Sequence, residues 1–178
     1  MRYAALLRGI NVGGNKKVPM SDLRQLLSDL GYADASTYLQ SGNAVFSSPG
    51  GEPPALASTI TRGIEERFGL AVTVVIRTGA ELSAVLQRSP VPDGPENPSR
   101  FFVAFLAAEP APDRVAGIVA EPLGQDRIWV SGTEAFLWCP NGAAETVLTN
   151  SFIEKRLGVA ATSRNWNTVN RLVALTAG

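Results

Sequence analysis

The sequence predicts an α+β protein made of two βαββαβ repeats, each with an extra C-terminal helix, packed as one compact unit. Three internal matches carry that expectation. Ile64–Thr73 (IEERFGLAVT) lines up with Ile153–Thr162 (IEKRLGVAAT) at an offset of 89. Ser41-Gly42 holds the same place among its apolar neighbours as Ser131-Gly132, at an offset of 90. Tyr3-Ala-Ala-Leu-Leu7 matches Phe102-Val-Ala-Phe-Leu106 at an offset of 99. Three matches in the same order indicate a duplicated supersecondary unit.

In the first repeat, the apolar run Tyr3–Arg8 reads as a strand. Met20, Leu23, Leu26, Leu27 and Leu30 recur at helical spacing, with Pro19 suited to the first turn and Gly31 as the stop. Strands over Thr37–Gln40 and Asn43–Ser47 flank a Ser41-Gly42 turn. A helix near Pro54–Phe68 ends at Gly69, and the strand Val72–Arg77 and a helix near Glu81–Arg88 follow. The second repeat reads Phe101–Leu106 as strand, Pro112–Ala120 as helix, Arg127–Trp138 as hairpin and Glu145–Leu157 as helix. A short strand and a last helix, begun by Thr162–Thr168, complete it. Pro90, Pro92, Pro95 and Pro98 mark a linker. The expected organisation is a first subdomain over residues 1–88, a Pro-rich linker over 89–99, and a second subdomain with the C-terminal helix over 100–178.

This element order is the ferredoxin-like one. Its usual form leaves one sheet face open, which would show as alternating apolar and polar residues. Clean alternation is absent here: Tyr3–Leu7 and Phe101–Leu106 are apolar on both sides, so the second face of the sheet is expected to be covered.

Composition narrows the chemistry. The chain has no histidine, which excludes Ser-His and Cys-His pairs and any imidazole base. A single cysteine, Cys139, excludes an internal disulfide and an iron–sulfur cluster and suits a reducing cytosol. Cys139 reads as a buried small residue, and Asp22, Asp29, Glu65 and Glu154 read as solvated helix faces. No secretory signal or membrane-length apolar run is evident, so the expected location is cytoplasmic, and no cofactor or metal is implied. Net charge is zero, from 16 basic and 16 acidic residues, yet the charges are segregated. Arg2, Arg8, Lys16 and Lys17 lie in an N-terminal stretch without an acid, and Lys155, Arg156, Arg164 and Arg171 follow the last acid, Glu154.

Comparing the repeats isolates one embellishment. Leu7 to Ser41 spans 34 positions whereas Leu106 to Ser131 spans 25. Most of the excess falls in Gly9-Ile-Asn-Val-Gly-Gly-Asn-Lys-Lys17, between a strand and a helix N-terminus. Free amides and the helix dipole favour anions there, and the loop adds Arg8, Gly9, Asn11, Gly13, Gly14, Asn15, Lys16 and Lys17. It matches neither the P-loop nor the dinucleotide pattern. A loop held together by Asn side chains on backbone, and a protein-contact loop, are the other readings. A second polar segment holds Arg164, Asn165, Trp166 and Asn167. Trp166 heads an apolar stripe with Val169, Leu172 and Val173, and Ser163 or Asn165 suits the N-cap.

Leu7-Arg-Gly-Ile-Asn-Val-Gly-Gly14, Val18-Pro-Met20, Gln40-Ser-Gly-Asn43 and Arg164-Asn-Trp-Asn-Thr168 together resemble the bacterial domain-of-unknown-function 1697 family, over essentially the whole chain. The resemblance implies two ferredoxin-like subdomains and carries no activity, substrate or catalytic residue. One departure is Ala144-Glu145, where a Ser-Lys pair is expected.

The expected function is binding of a small anionic ligand, a nucleotide or phosphate ester, by the Gly-rich loop and Arg164, with Gln40 and Asn43 lending hydrogen bonds. RNA binding is an alternative, its stacking candidates being Tyr3 and Phe46, but the sequence lacks the paired-aromatic signature. A histidine-independent enzyme using Lys16, Lys17, Arg8 or Arg164, and an interaction scaffold, are the others. No membrane partner is expected.

Overall fold

The computed structural model describes residues 1–178, which divide into two units: unit 1 is Met1–Leu82 with Leu172–Gly178, and unit 2 is Ser83–Arg171. Unit 1 contains β1 (Arg2–Leu7), α1 (Met20–Asp29), β2 (Ala33–Tyr38), β3 (Asn43–Ser47), α2 (Pro53–Phe68) and β4 (Val74–Thr78), then the start of α3 (Gly79–Gln87). Unit 2 contains β5 (Phe101–Leu106), α4 (Pro112–Val119), β6 (Arg127–Ser131), β7 (Glu134–Trp138), α5 (Asn150–Leu157), β8 (Ala161–Asn165) and the start of α6 (Trp166–Thr176). The sheets are antiparallel, in the orders β2-β3-β1-β4 and β6-β7-β5-β8. Each unit therefore has the ferredoxin-like topology.

Strand alternation builds each core. In unit 1, Tyr3, Ala5 and Leu7 of β1 join Phe46 of β3, Ile76 of β4, and the apolar stripes Leu23/Leu27 of α1 and Ile60/Ile64 of α2. In unit 2, Ala104, Leu106, Leu137 and Ala161 meet Ile118 of α4 and Ile153 and Leu157 of α5. The opposite sheet faces are buried as well: Ala4, Leu6, Val45 and Val75 in unit 1, and Val103, Phe105 and Phe136 in unit 2, are all at most 3% exposed. The apolar strand sequences arise from burial on both faces.

Helix ends follow local rules. Gly69 and Gly158 close α2 and α5 in the left-handed conformation, at φ 66° and 73°, where a Cβ is disfavoured. Thr78 and Glu81 form a reciprocal capping box at the start of α3: Thr78 N donates to Glu81 Oε2 at 2.7 Å, and Glu81 N to Thr78 Oγ1 at 3.1 Å.

Several boundaries differ from the sequence reading. β2 starts at Ala33 and stops at Tyr38, because Leu39 turns left-handed at φ 59° and Gln40 falls in the turn. α5 starts at Asn150 rather than near Glu145, because Asp126 takes Thr146 Oγ1 and Val147 N at 2.7 and 3.0 Å, and Thr149 supplies the cap. Residues Ala161–Asn165 form a strand, so Arg164 lies on β8 and not at a helix start. Asn165 is the cap: its Oδ1 accepts Thr168 N at 2.9 Å. Glu154 is not simply solvated, since its Oε2 accepts Ala161 N at 3.0 Å.

The duplication is real but its register changes along the chain. Leu7 N donates to Gly42 O and Leu106 N to Thr133 O, both at 2.9 Å, so Gly42 corresponds to Thr133 and the two Ser-Gly pairs are one residue out of step. The helix match at offset 89 holds at the caps Gly69 and Gly158. It ends there: Leu7 pairs with Val74 and Leu106 with Ala161, so unit 1 has two more residues between helix and strand.

Candidate functional site

The embellishing loop folds as a miniature hairpin. Asn11 N donates to Lys16 O, and Asn15 N to Val12 O, each at 3.1 Å. The central residues Gly13 and Gly14 have φ of 59° and 77°, the double left-handed turn that glycines alone adopt freely. These two glycines are thus required by the turn itself.

Asn11 anchors the hairpin. Its Nδ2 donates to Val18 O at 2.9 Å and Gln40 O at 2.7 Å, while its Oδ1 accepts Val18 N at 2.8 Å. All of the hydrogen-bonding capacity of this side chain except one acceptor site is therefore used to join the loop to the start of α1 and to the β2–β3 turn. Gly42 makes that junction close: a Cβ there would lie 2.8 Å from Leu7 Cβ and 2.9 Å from Ile10 Cδ1. Gly9 leaves β1 at φ 68°, directly after the half-buried Arg8.

The loop, the β2–β3 turn and the first turn of α1 enclose a hollow of about 530 Å³, lined by Asn11, Gly14, Lys17, Val18, Pro19, Met20, Ser21 and Gln40. Pro19 is the N-cap residue of α1 and provides no side-chain cap for the first-turn amides. The exposed Lys17 supplies positive charge at this hollow. Lys16 is directed elsewhere, its Nζ donating to Ala71 O at 2.9 Å. A larger hollow of about 660 Å³ lies between α2 and Ala71–Val74, but its charged lining is one arginine, Arg62, opposed by one carboxylate, Glu65.

The remaining sequence-predicted residues are placed differently. Asn43 is fully buried at the start of β3, where its Nδ2 donates to Tyr38 O at 2.8 Å and Ser41 Oγ at 3.2 Å. Unit 2 holds Arg164, Asn165, Trp166 and Asn167. Arg164 is 8% exposed and donates to Thr162 Oγ1 at 2.7 Å and to Ser163 O at 2.9 Å. Burial lowers the pKa of its guanidinium to about 10. Trp166 meets Phe101 edge-on at 5.3 Å between ring centroids, and Asn167 is exposed. Tyr3 and Phe46 are buried in the core of unit 1, stacked at 5.6 Å, so neither offers a ring face to a base.

The model of a family described as "Protein of unknown function (DUF1697)" matches residues 1–136. The chain belongs to the DUF1697 family. The match includes the whole hollow and the β2–β3 turn, and ends before Arg164. Among solved structures, the conserved bacterial protein SP0830 from Streptococcus pneumoniae is similar with a TM-score of 0.78 at 23% identity, over 99% of this chain and 98% of that one. That likeness shows the fold. No curated protein matches the chain. No helix of this DUF1697 member is long and apolar enough to cross a membrane, and no group of three or more Cys, Asp and Glu residues is placed to hold a metal ion.

Sequence reasoning did not single out Arg77, Arg88 or Glu134. Arg77 is 7% exposed and Glu134 is 2% exposed, and Arg88 Nη2 lies 2.6 Å from Glu134 Oε2. For Arg77 and Glu134 the signal available was charge within strands that are otherwise apolar.

Proposed function

We propose that this protein is a binding module for a small anionic ligand, held in unit 1 by the Gly9–Lys17 loop and the start of α1. The observation that carries this reading is the hollow of about 530 Å³ in which Lys17 stands beside helix amides that no side chain caps. A pocket of that volume suits a metabolite-sized molecule. Helix amides and a lysine favour an anion. The second repeat, built on the same scaffold, has a shorter connection at this point, so the loop is not needed to form the fold. Asn11 and Gly42 hold the loop in one geometry, which lowers the ordering cost of binding. In this reading Arg164, 8% exposed, supports unit 2 and does not touch the ligand.

The test is a thermal-shift panel of nucleotides, phosphorylated metabolites, organic carboxylates and sulfonates, and short RNA, on wild type, Lys17→Met and Arg164→Ala. A ligand at about 100 times its dissociation constant adds about 2.7 kcal/mol, a rise of several degrees in Tm. The reading expects a rise with an anionic compound that Lys17→Met removes. A panel without any such rise rejects it.

A further inference from the structure

We propose that β6 is a self-association edge, along which two copies of the chain pair antiparallel and join the sheets of their second units into one. The chain has four edge strands, β2 and β4 in unit 1 and β6 and β8 in unit 2. An edge strand presents alternate N–H and C=O groups outward, and folds protect such edges with bulges and charged side chains. Three of the four are protected. β2 is interrupted by a register shift between Ala33 and Ser36, with Asp34 left-handed at φ 52°. On β4, Arg77 Nη1 donates to Ile76 O at 3.0 Å, and Thr78 N donates to Glu81 Oε2 at 2.7 Å. On β8, Ala161 N donates to Glu154 Oε2 at 3.0 Å, and Arg164 Nη1 donates to Ser163 O at 2.9 Å.

β6 is open over Ile128–Val130. It pairs with β7 in unbroken register, from Arg127↔Trp138 to Ser131↔Glu134. Leu106 N donates to Thr133 O, which sets Ala135 and Leu137 to bond β5, and Glu134, Phe136 and Trp138 to bond β6. Their partners Ser131, Trp129 and Arg127 are thereby satisfied, and Ile128 and Val130 turn their N–H and C=O outward. No hydrogen bond from elsewhere in the chain reaches either residue. Arg127 covers only the entrance to the strand, its Nη1 donating to Asp126 O at 2.7 Å.

A second copy fits this edge because the strand is complementary to itself. About a two-fold axis at Trp129, Ile128 of each copy exchanges both hydrogen bonds with Val130 of the other, so every outward group is matched. Trp129, 40% exposed in the single chain, stands opposite its own counterpart in a non-hydrogen-bonded pair, where side chains approach most closely. Arg127 falls opposite Ser131, so no like charges are paired across the strands. Arg88, bonded to Ser131, is neutralised by Glu134 at 2.6 Å. The net charge of the chain is zero, which leaves no long-range repulsion against association.

The experiment is sedimentation velocity of the full chain over a concentration series from micromolar to millimolar. A pair of five-residue strands is a small interface, so the expected dimer dissociates in the micromolar range. Trp129→Lys sets two ammonium groups against each other at the axis. Val130→Pro removes an outward N–H and leaves the β6–β7 ladder intact. Each weakens dimerisation on the order of tenfold or more, whereas Ala33→Lys on the β2 edge leaves it unchanged. Amide exchange at Ile128 and Val130, followed by NMR, slows as concentration rises. An unchanged Tm in dilute solution shows that Trp129→Lys folds, and this variant decides the matter if Val130→Pro does not fold. A wild type that stays monomeric to millimolar concentration overturns the proposal, even if an added extended peptide binds the edge. A dimer that survives Trp129→Lys overturns it too, as does exchange at Ile128 and Val130 that is independent of concentration.

Discussion

Arg77 and Arg164 are the same position of the repeat. Arg77 pairs with Ala4 of β1 and Arg164 with Val103 of β5, and each Nη1 donates to the preceding carbonyl, Ile76 O at 3.0 Å and Ser163 O at 2.9 Å. Both side chains share a sheet face with a second buried polar residue, Asn43 paired with Leu6 and Glu134 paired with Phe105. The duplicated scaffold thus includes a duplicated polar arrangement on a buried sheet face, which Thr162 joins in unit 2.

At Arg164 the fold bears the desolvation of a charge, and the lowered pKa records that penalty. Truncation to alanine removes the hydrogen bonds to Thr162 and Ser163 and leaves a cavity, with an expected loss of about 3 kcal/mol in urea unfolding. Arg164→Met keeps much of the volume without the charge and is expected to lose about 1 kcal/mol or less. The folded pKa lies below the unfolded one, so the unfolded chain binds more protons as pH climbs past about 10 towards the ordinary guanidinium value, and this group's contribution to stability rises across that window. Equal losses in the two variants would show that volume and desolvation are not the governing terms.

Arg88 clamps the β6–β7 hairpin of unit 2. Its Nη1 donates to Ser131 O at 3.1 Å, and its Nη2 pairs with Glu134 at 2.6 Å. The Arg88 side chain is 38% exposed, which screens the pair on one side. Arg88→Ala is expected to cost about 2 kcal/mol, and Glu134→Gln in the Arg88→Ala background should recover part of it. A double-mutant cycle with no coupling between the two positions would contradict this.

Gly42 ends the four-residue β2–β3 turn and Gly132 begins the two-residue β6–β7 turn, at φ 92° and 60°, and the two differ in their surroundings. A Cβ at Gly42 meets Leu7 Cβ at 2.8 Å, whereas at Gly132 the nearest atom is Arg88 Nη1 at 3.7 Å. Gly42→Ala is expected to cost about 3 kcal/mol from backbone strain and overpacking together, and Gly132→Ala about 1 kcal/mol from strain alone. Thermal denaturation of the two variants side by side measures the difference.

Burial, opposed by Thr146 and reinforced by the charge of Asp126, raises the Cys139 thiol above its usual 9.0. The folded state therefore prefers the neutral thiol. Its contribution to stability is complete below about pH 9 and is lost as pH rises through the folded pKa. Cys139→Ala is expected to be less stable than wild type at pH 7.5 by about 1 kcal/mol, with the gap narrowing at pH 10. A thiol reagent is expected to react with the native chain only after unfolding.

The fold was legible in the sequence because its strongest signals are local. Helical spacing in Met20–Leu30, glycine stops at Gly69 and Gly158, and the hairpin Arg127–Trp138 each require only a few residues of context. The Arg77–Arg164 correspondence was hidden because the offset changes from 99 at the first strand to 89 at the helix caps and 87 at the last strand. Only hydrogen-bond register reveals that drift. The start of α5 was misplaced because Asp126, distant in sequence, captures Thr146 and Val147 and holds them out of the helix. At the candidate site, the Gly9–Lys17 loop was recognisable by its excess length, but the division of labour within it was not. Asn11 braces backbone and Lys16 reaches Ala71, and both roles depend on tertiary contacts.

The most direct measurement of ligand binding at the Gly9–Lys17 loop is amide chemical-shift mapping by two-dimensional NMR. The probes are anilinonaphthalene sulfonate, adenosine monophosphate and inorganic phosphate, each titrated into wild type and Lys17→Met. The expected result is a saturable shift, with at least one of these anions, concentrated at Gly13, Gly14, Lys17, Met20, Ser21 and Gln40, and absent from Lys17→Met. Shifts confined to other parts of the chain, or shifts that Lys17→Met leaves intact, would contradict an anion site at this loop.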